Sequence, residues 1–153
     1  MINIVLYSPE IPQNTGNISR TCAVTGARLH IIKPIGFEIS DRTLKRAGLD
    51  YWDKLDVRYY ENYDDFIRQN ENAELFFFSS HAEHSFADVE YPEDVYLVFG
   101  RESVGLPEEL VKVNIHRALR IPMRKTLRCL NLSNSVAIAV YEVLRQRGYG
   151  GLE

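Results

Sequence analysis

The strongest constraint on this chain is a repeated switch in hydrophobic period. Short, largely apolar runs at Ile2–Tyr7, Leu29–Lys33, Leu75–Ser80, Val95–Phe99 and Ala118–Ile121 alternate with segments whose apolar residues recur at helical spacing. A run that is apolar throughout reads as a strand covered on both faces, since a half-solvated strand would alternate apolar with polar. Val57–Tyr60 adds a weaker strand. Helical spacing begins near Asn14 or Thr15, with Ile18, Cys22 and Ala23 facing inward, and stops at Gly26. It returns at Asp64–Gln69 and after Pro107. It returns again beyond Asn131, where Leu132, Val136, Val140, Val143 and Leu144 share one face before Gly148. Asn131 is placed to cap that last helix. Ser40-Asp41 reads as the cap of a short helix carrying Arg42, Lys45 and Arg46 and ending at Gly48, and residues 81–94 read as a polar loop. Alternating strands and helices predict an α/β fold: one domain over residues 1–153, with a mostly parallel six-stranded sheet and helices on both faces.

A net charge of −3 excludes binding to nucleic acid through the overall field, so any such contact needs a local patch. The basic clusters are Arg42, Lys45 and Arg46, and then Arg124, Lys125 and Arg128. Two cysteines, Cys22 and Cys129, give no disulfide framework and fit a reducing cytoplasm. The opening residues lack the basic stretch and cleavage site of a signal peptide, and no apolar run is long enough to span a membrane. His81 and His84 are too few ligands for a metal, so none is expected. His30 and His116 read as ordinary strand or strand-edge residues, and Cys22 as a small core residue.

In open parallel sheets, ligands sit beyond the carboxyl ends of the strands. The loops that best meet this description are Ser79 onward, Gly100–Leu106 and Pro122–Leu130. Gly100-x-Glu102-x-x-Gly105 lets backbone approach a ligand closely and supplies one carboxylate; it is neither a dinucleotide nor a phosphate loop. Asn14-x-Gly16-Asn17-x-x-Arg20 sets an arginine near the start of the first helix, where the helix dipole disfavours it. Such an arginine pairs with Glu10 or Glu102, or it holds a phosphate or a hydroxyl. Taken singly, these motifs read as a glycine-bearing turn, an ion pair and a solvated basic loop.

Taken together they are more specific. N-T-G-N-I-S-R (14–20), F-G-R-E-S-V-G-L-P (99–107), and I-P-M (121–123) with L-N-L-S-N-S-V-A-I-A-V-Y-E (130–142) resemble the three motifs of the SPOUT RNA 2'-O-ribose methyltransferases, in the same order. The resemblance spans essentially the whole chain. The opening N-I-V-L-Y-x-P-E-I-P-x-N-T-G-N-I-x-R and R-A-G-L-D-Y at Arg46–Tyr51 are similar to the minimal members of that family. Those methylate the ribose of cytidine or uridine at the tRNA wobble position, nucleotide 34.

The resemblance implies a C-terminal trefoil knot, S-adenosylmethionine as cofactor, a homodimer whose sites are completed across the interface, and an anticodon stem-loop as RNA partner. It also implies cofactor contacts at Phe78, Ser79, Gly100, Gly105, Ile121, Met123, Cys129 and Leu130. Arg20 matches the catalytic arginine, and Asn14, Glu102 and Asn131 the supporting polar residues. Position 129 is usually serine in the family; cysteine here makes a backbone contact the safer expectation. Two other readings are carried: the same chemistry on another tRNA position or on ribosomal RNA, and a non-catalytic α/β ligand-binding module. Against a response-regulator-like module, the first strand ends in Y-S-P-E-I-P, with the single carboxylate Glu10 rather than an acidic cluster.

Overall fold

A computed structural model describes residues 1–38, 40, 42, 52–127 and 129–153. The strands are β1 (Ile2–Tyr7), β2 (Arg28–Ile32), β3 (Val57–Tyr60), β4 (Glu74–Phe78), β5 (His84–Ser85), β6 (Val95–Phe99) and β7 (Ala118–Arg120). Among the described residues they form one sheet in the order β3-β2-β1-β6-β4-β7-β5, and every pair is parallel. The expected count of six strands is therefore corrected to seven. The extra strand, β5, lies inside the stretch expected to be a polar loop and pairs His84 with Leu119 and Ser85 with Arg120. Two partly exposed polar residues carry no hydrophobic period, so only the tertiary register with β7 makes them a strand.

The helices are α1 (Pro12–Thr25), α2 (Tyr63–Gln69), α3 (Glu108–Val113) and α4 (Leu132–Gln146). Strand residues alternate between two apolar layers, as a period of two requires. Ile4, Leu6, Leu29, Ile31, Leu97 and Leu119 pack with Ile18 and Cys22 of α1 and Val136, Ala139, Val140 and Val143 of α4. Val5, Phe77, Val98 and Ala118 point the other way, toward Phe66 of α2 and Val111 of α3. Helices thus cover both faces, as the apolar runs predict.

The first helix starts earlier than the expected Asn14 or Thr15. Pro12 leads it, Ile11 is its N-cap, and no side chain caps it. Proline tolerates the first helical position because its missing N–H would have no intrahelical partner there. Arg20 is consequently the ninth of fourteen helical residues, in mid-helix, and the dipole argument for it does not apply. At the other end Gly26 adopts φ 75°, as expected of a helix stop. Asn131 caps α4 as expected: its Oδ1 accepts from the backbone N–H of Ser133 and Asn134. The expected helix from Ser40 to Gly48, with Lys45 and Arg46, lies largely outside the described residues, as do the Arg46–Tyr51 motif and Arg128; Arg42 is exposed.

Helix α4 follows β7, near one edge of the sheet, yet packs on α1, β1 and β6. Its end is tied to the strip before β6. Gln146 donates to the Val89 carbonyl (2.8 Å) and accepts from the Tyr91 amide (3.1 Å), and Arg147 donates to the carbonyls of Pro92 (2.9 Å) and Glu93 (2.8 Å).

His30 is no ordinary strand residue. It is fully buried, with Nε2 3.0 Å from Asn3 Oδ1 and Nδ1 2.8 Å from the Tyr60 hydroxyl. Asn3 spends its amide hydrogens on Asp94 and the Val95 carbonyl, so its oxygen must accept. That places a proton on Nε2, and the neutral ring then accepts the Tyr60 hydroxyl at Nδ1. Burial, reinforced by the charges of Arg58 and Arg28, pushes the imidazole pKa down from 6.5 to about 4. Between those values the unfolded ring takes up a proton that the native ring refuses, so stability falls as pH falls from 6.5 towards 4. The whole window is worth about 3 kcal/mol. Urea unfolding at pH 7.5 and pH 5 should show a drop in midpoint that is smaller in His30→Gln; an equal drop in both would refute this assignment.

Candidate active site

A cavity of about 660 Å³ opens at the carboxyl ends of β4, β6 and β7. That size suits a nucleoside-sized ligand. Its apolar lining comes from strand ends: Phe78 and Phe99 stack with ring centroids 4.7 Å apart, and Leu119 and Ile121 continue the layer. Met123, Cys129 and Leu130 line it from the connection into α4. Ile11 and Asn14, from the start of α1, also border it, so the first loop joins the three C-terminal loops expected to form the site.

The loop after β6 is shaped by its glycines. Arg101 and Gly105 exchange backbone hydrogen bonds, at 2.8 Å from the Gly105 amide and 3.3 Å from the Arg101 amide. Gly105 sits at φ +72°, which favours a residue without a Cβ. A Cβ on Gly100 would lie 2.1 Å from both the Gly105 carbonyl carbon and the Leu106 nitrogen. The turn therefore closes only if position 100 carries no side chain.

Three polar residues, far apart in sequence, form one chain of hydrogen bonds. Glu102 accepts from the amides of Glu10 (2.8 Å) and Ile11 (3.0 Å) and from Asn14 Nδ2 (3.3 Å). Asn14 Oδ1 accepts from Asn131 Nδ2 at 3.0 Å, and Asn131 Oδ1 accepts from the Ser133 amide (2.9 Å) and hydroxyl (2.6 Å). The first-helix start, the β6 loop and the α4 cap are thereby locked together at the cavity wall. Glu10 returns the contact, its Oε1 accepting from the Ser103 amide (3.2 Å) and hydroxyl (2.6 Å). The Ser103 hydroxyl and amide, helped by the charge of Arg101, hold the Glu10 carboxyl below its ordinary range.

All eight residues expected to contact a cofactor line this cavity, as do Asn14, Glu102 and Asn131. Arg20 does not; it is exposed on α1. Glu10 and Glu102, its expected carboxylate partners, are engaged by Ser103 and by the Glu10–Asn14 segment. Ser79 commits its amide to the Leu119 carbonyl (3.0 Å) and its own carbonyl to the Ala82 amide (3.2 Å), so part of the expected backbone reading surface already serves the fold. Cys129 is exposed, whereas Cys22 is buried and its thiol is pushed up to about 12. Among the described residues no group of three or more histidine, cysteine or acidic side chains is arranged to hold a metal. The sequence reading did not single out Ser103 and Arg101, which line the cavity; their place beside Glu102 in the motif was the available signal.

Residues 1–141 match the SpoU rRNA Methylase family. This chain belongs to that family. A relative from Saccharophagus degradans, named tRNA (cytidine(34)-2'-O)-methyltransferase, is 47% identical over 152 residues, covering 99% of each chain. A solved structure described as giving insight into the 2-OH methylation of C/U34 on tRNA superposes with a TM-score of 0.89. It is 45% identical and is covered to 97%, as is this chain. The AdoMet-bound rRNA methyltransferase from Sinorhizobium meliloti superposes with a TM-score of 0.82 at 25% identity, over 94% of this chain and 56% of that one. The α/β fold with its parallel sheet is thus the SpoU fold, and the chain is a methyltransferase of that family.

Proposed function

We propose that the protein methylates the ribose 2'-hydroxyl of the wobble nucleotide, cytidine or uridine 34, in tRNA, using S-adenosylmethionine. The observation that carries this reading is the convergence of three family motifs on one nucleoside-sized cavity, joined by the Glu102–Asn14–Asn131 hydrogen bonds. Near-full-length relatives named for cytidine 34 support the choice of nucleotide.

The residues fit the cofactor. Phe78, Ile121, Met123 and Leu130 offer apolar surface to an adenosine, and the Gly100–Gly105 turn brings backbone to the wall without side chains in the way. When bound, S-adenosylmethionine supplies an electrophilic methyl group on a sulfonium. The chain's part is to present the ribose hydroxyl in line with that methyl and to hold the hydroxyl proton as it leaves. Arg20 lies outside the cavity wall, which suits a group that meets RNA rather than cofactor. Its role in this reading is to orient the hydroxyl and its adjacent phosphate through a forked guanidinium, since arginine scarcely deprotonates. Asn14, Glu102 and Asn131 keep the loops at the cavity wall in place.

The knotted C-terminus is part of the same proposal, supported by the return of α4 across the sheet and by its ties to residues 89–93. So is a homodimer: Val24 of α1 and Ile138 and Tyr141 of α4 are exposed apolar side chains on adjacent helices. A cytoplasmic site of action follows from the tRNA substrate. No helix among the described residues is long and apolar enough to cross a membrane.

The test is transfer of labelled methyl to total tRNA lacking ribose methylation, with the labelled nucleotide mapped. Label at nucleotide 34 is expected; label on another nucleotide or on none would overturn the reading. Arg20→Lys keeps the charge but loses the fork, and should cut turnover about a hundredfold. Near-normal turnover would remove the orienting role.

A further inference from the structure

Arg101 stands out once the loop after β6 is accounted for. Its side chain is half-buried in the cavity wall, and its Nε is shielded from solvent with no hydrogen-bond partner. Its backbone is pinned by the paired bonds to Gly105, which fixes where the side chain leaves the loop. Among the described residues it makes no ion pair within 4 Å. Glu10 is close enough to feel its charge, yet the Glu10 Oε1 oxygen is already satisfied by both Ser103 donors. The shielded Nε donates to neither Glu10 oxygen, so counter-charging Glu10 does not account for it. A guanidinium N–H withdrawn from water and left unmatched is costly, and five forked donors are shaped for a carboxylate or a phosphate.

We propose that Arg101 binds an oxyanion in this cavity, its guanidinium donating to a carboxylate or phosphate oxygen brought by a ligand. Two oxyanions could arrive there: the amino-acid carboxylate of S-adenosylmethionine, or a phosphate beside the target ribose. The inference rests on the methyltransferase reading above and adds a binding residue to it.

Calorimetry with wild type and with Arg101→Gln separates the sources, using S-adenosylmethionine, 5'-methylthioadenosine, which lacks the carboxylate, and an anticodon stem-loop RNA. If the cofactor supplies the oxyanion, Arg101→Gln should weaken S-adenosylmethionine about ten- to hundredfold and leave 5'-methylthioadenosine unchanged. If the RNA supplies it, cofactor affinity should hold while RNA binding weakens about tenfold and its salt dependence becomes shallower. Arg101→Lys should recover part of either loss, because it keeps the charge. Unchanged affinity for all three ligands would overturn the proposal. So would equal weakening of S-adenosylmethionine and 5'-methylthioadenosine without recovery in Arg101→Lys, which would make Arg101 a loop-shaping residue. Failure of wild type to bind cofactor or RNA at all would instead fell the methyltransferase reading.

Discussion

Replacing Gly100 by alanine is expected to weaken cofactor binding severely. The new Cβ would meet backbone, with the Gly105 carbonyl carbon and the Leu106 nitrogen at 2.1 Å and the Gly105 oxygen at 2.6 Å. No side-chain rotation relieves such a contact, so the turn must open and the Arg101–Gly105 bonds must part. Forced overpacking of this kind costs about 1–3 kcal/mol in stability. The larger effect falls on the site, because the loop bearing Glu102 and the cavity wall moves with the turn. More than a tenfold loss in S-adenosylmethionine affinity is expected by calorimetry, together with a lowered melting temperature. Gly105→Ala is the control. Its Cβ would meet nothing within 4 Å, so only the strained φ of +72° counts against it, at about 1–2 kcal/mol. If Gly100→Ala bound cofactor as well as Gly105→Ala, the turn would not be what shapes the site.

Glu102→Gln should be nearly as damaging, for a chemical rather than a steric reason. The carboxylate receives three donors and gives none. An amide of the same shape has one acceptor oxygen and must point its NH₂ at one of those N–H groups. The mismatch should cost about 1–2 kcal/mol, less than in a dry core because Glu102 is only half-buried. Methyl transfer should fall at least tenfold as Asn14, and through it Asn131, loses its anchor. Hydrogen exchange at the Glu10 and Ile11 amides should quicken in step. An unchanged rate with unchanged protection would show that the hydrogen-bond chain is incidental to catalysis.

The helices and main strands were readable because burial on two faces leaves apolar runs such as Val95–Phe99, and because Asn131 and Gly26 punctuate helices by simple capping rules. The carboxyl-end rule placed the cavity, and the resemblance placed its lining. What could not be read was set by distant contacts. Strand β5 exists only through its register with β7. The expected start of α1 near Asn14 or Thr15 is late because Pro12 reads as part of the loop, whereas it leads the helix. The same blindness affected Glu102: in sequence it is a lone carboxylate offered to a ligand, while in the fold it fastens the loop before α1. His30 looked like one more strand residue because nothing local announces Asn3 and Tyr60 on its two ring nitrogens.

The most direct test of the account uses two anticodon stem-loops that differ only in the 2'-oxygen of nucleotide 34, one ribose and one deoxyribose. Each would be incubated with the protein and labelled S-adenosylmethionine. The account predicts label on the ribose form and none on the deoxyribose form. Equal labelling of both, or of neither under conditions where both bind, would contradict it.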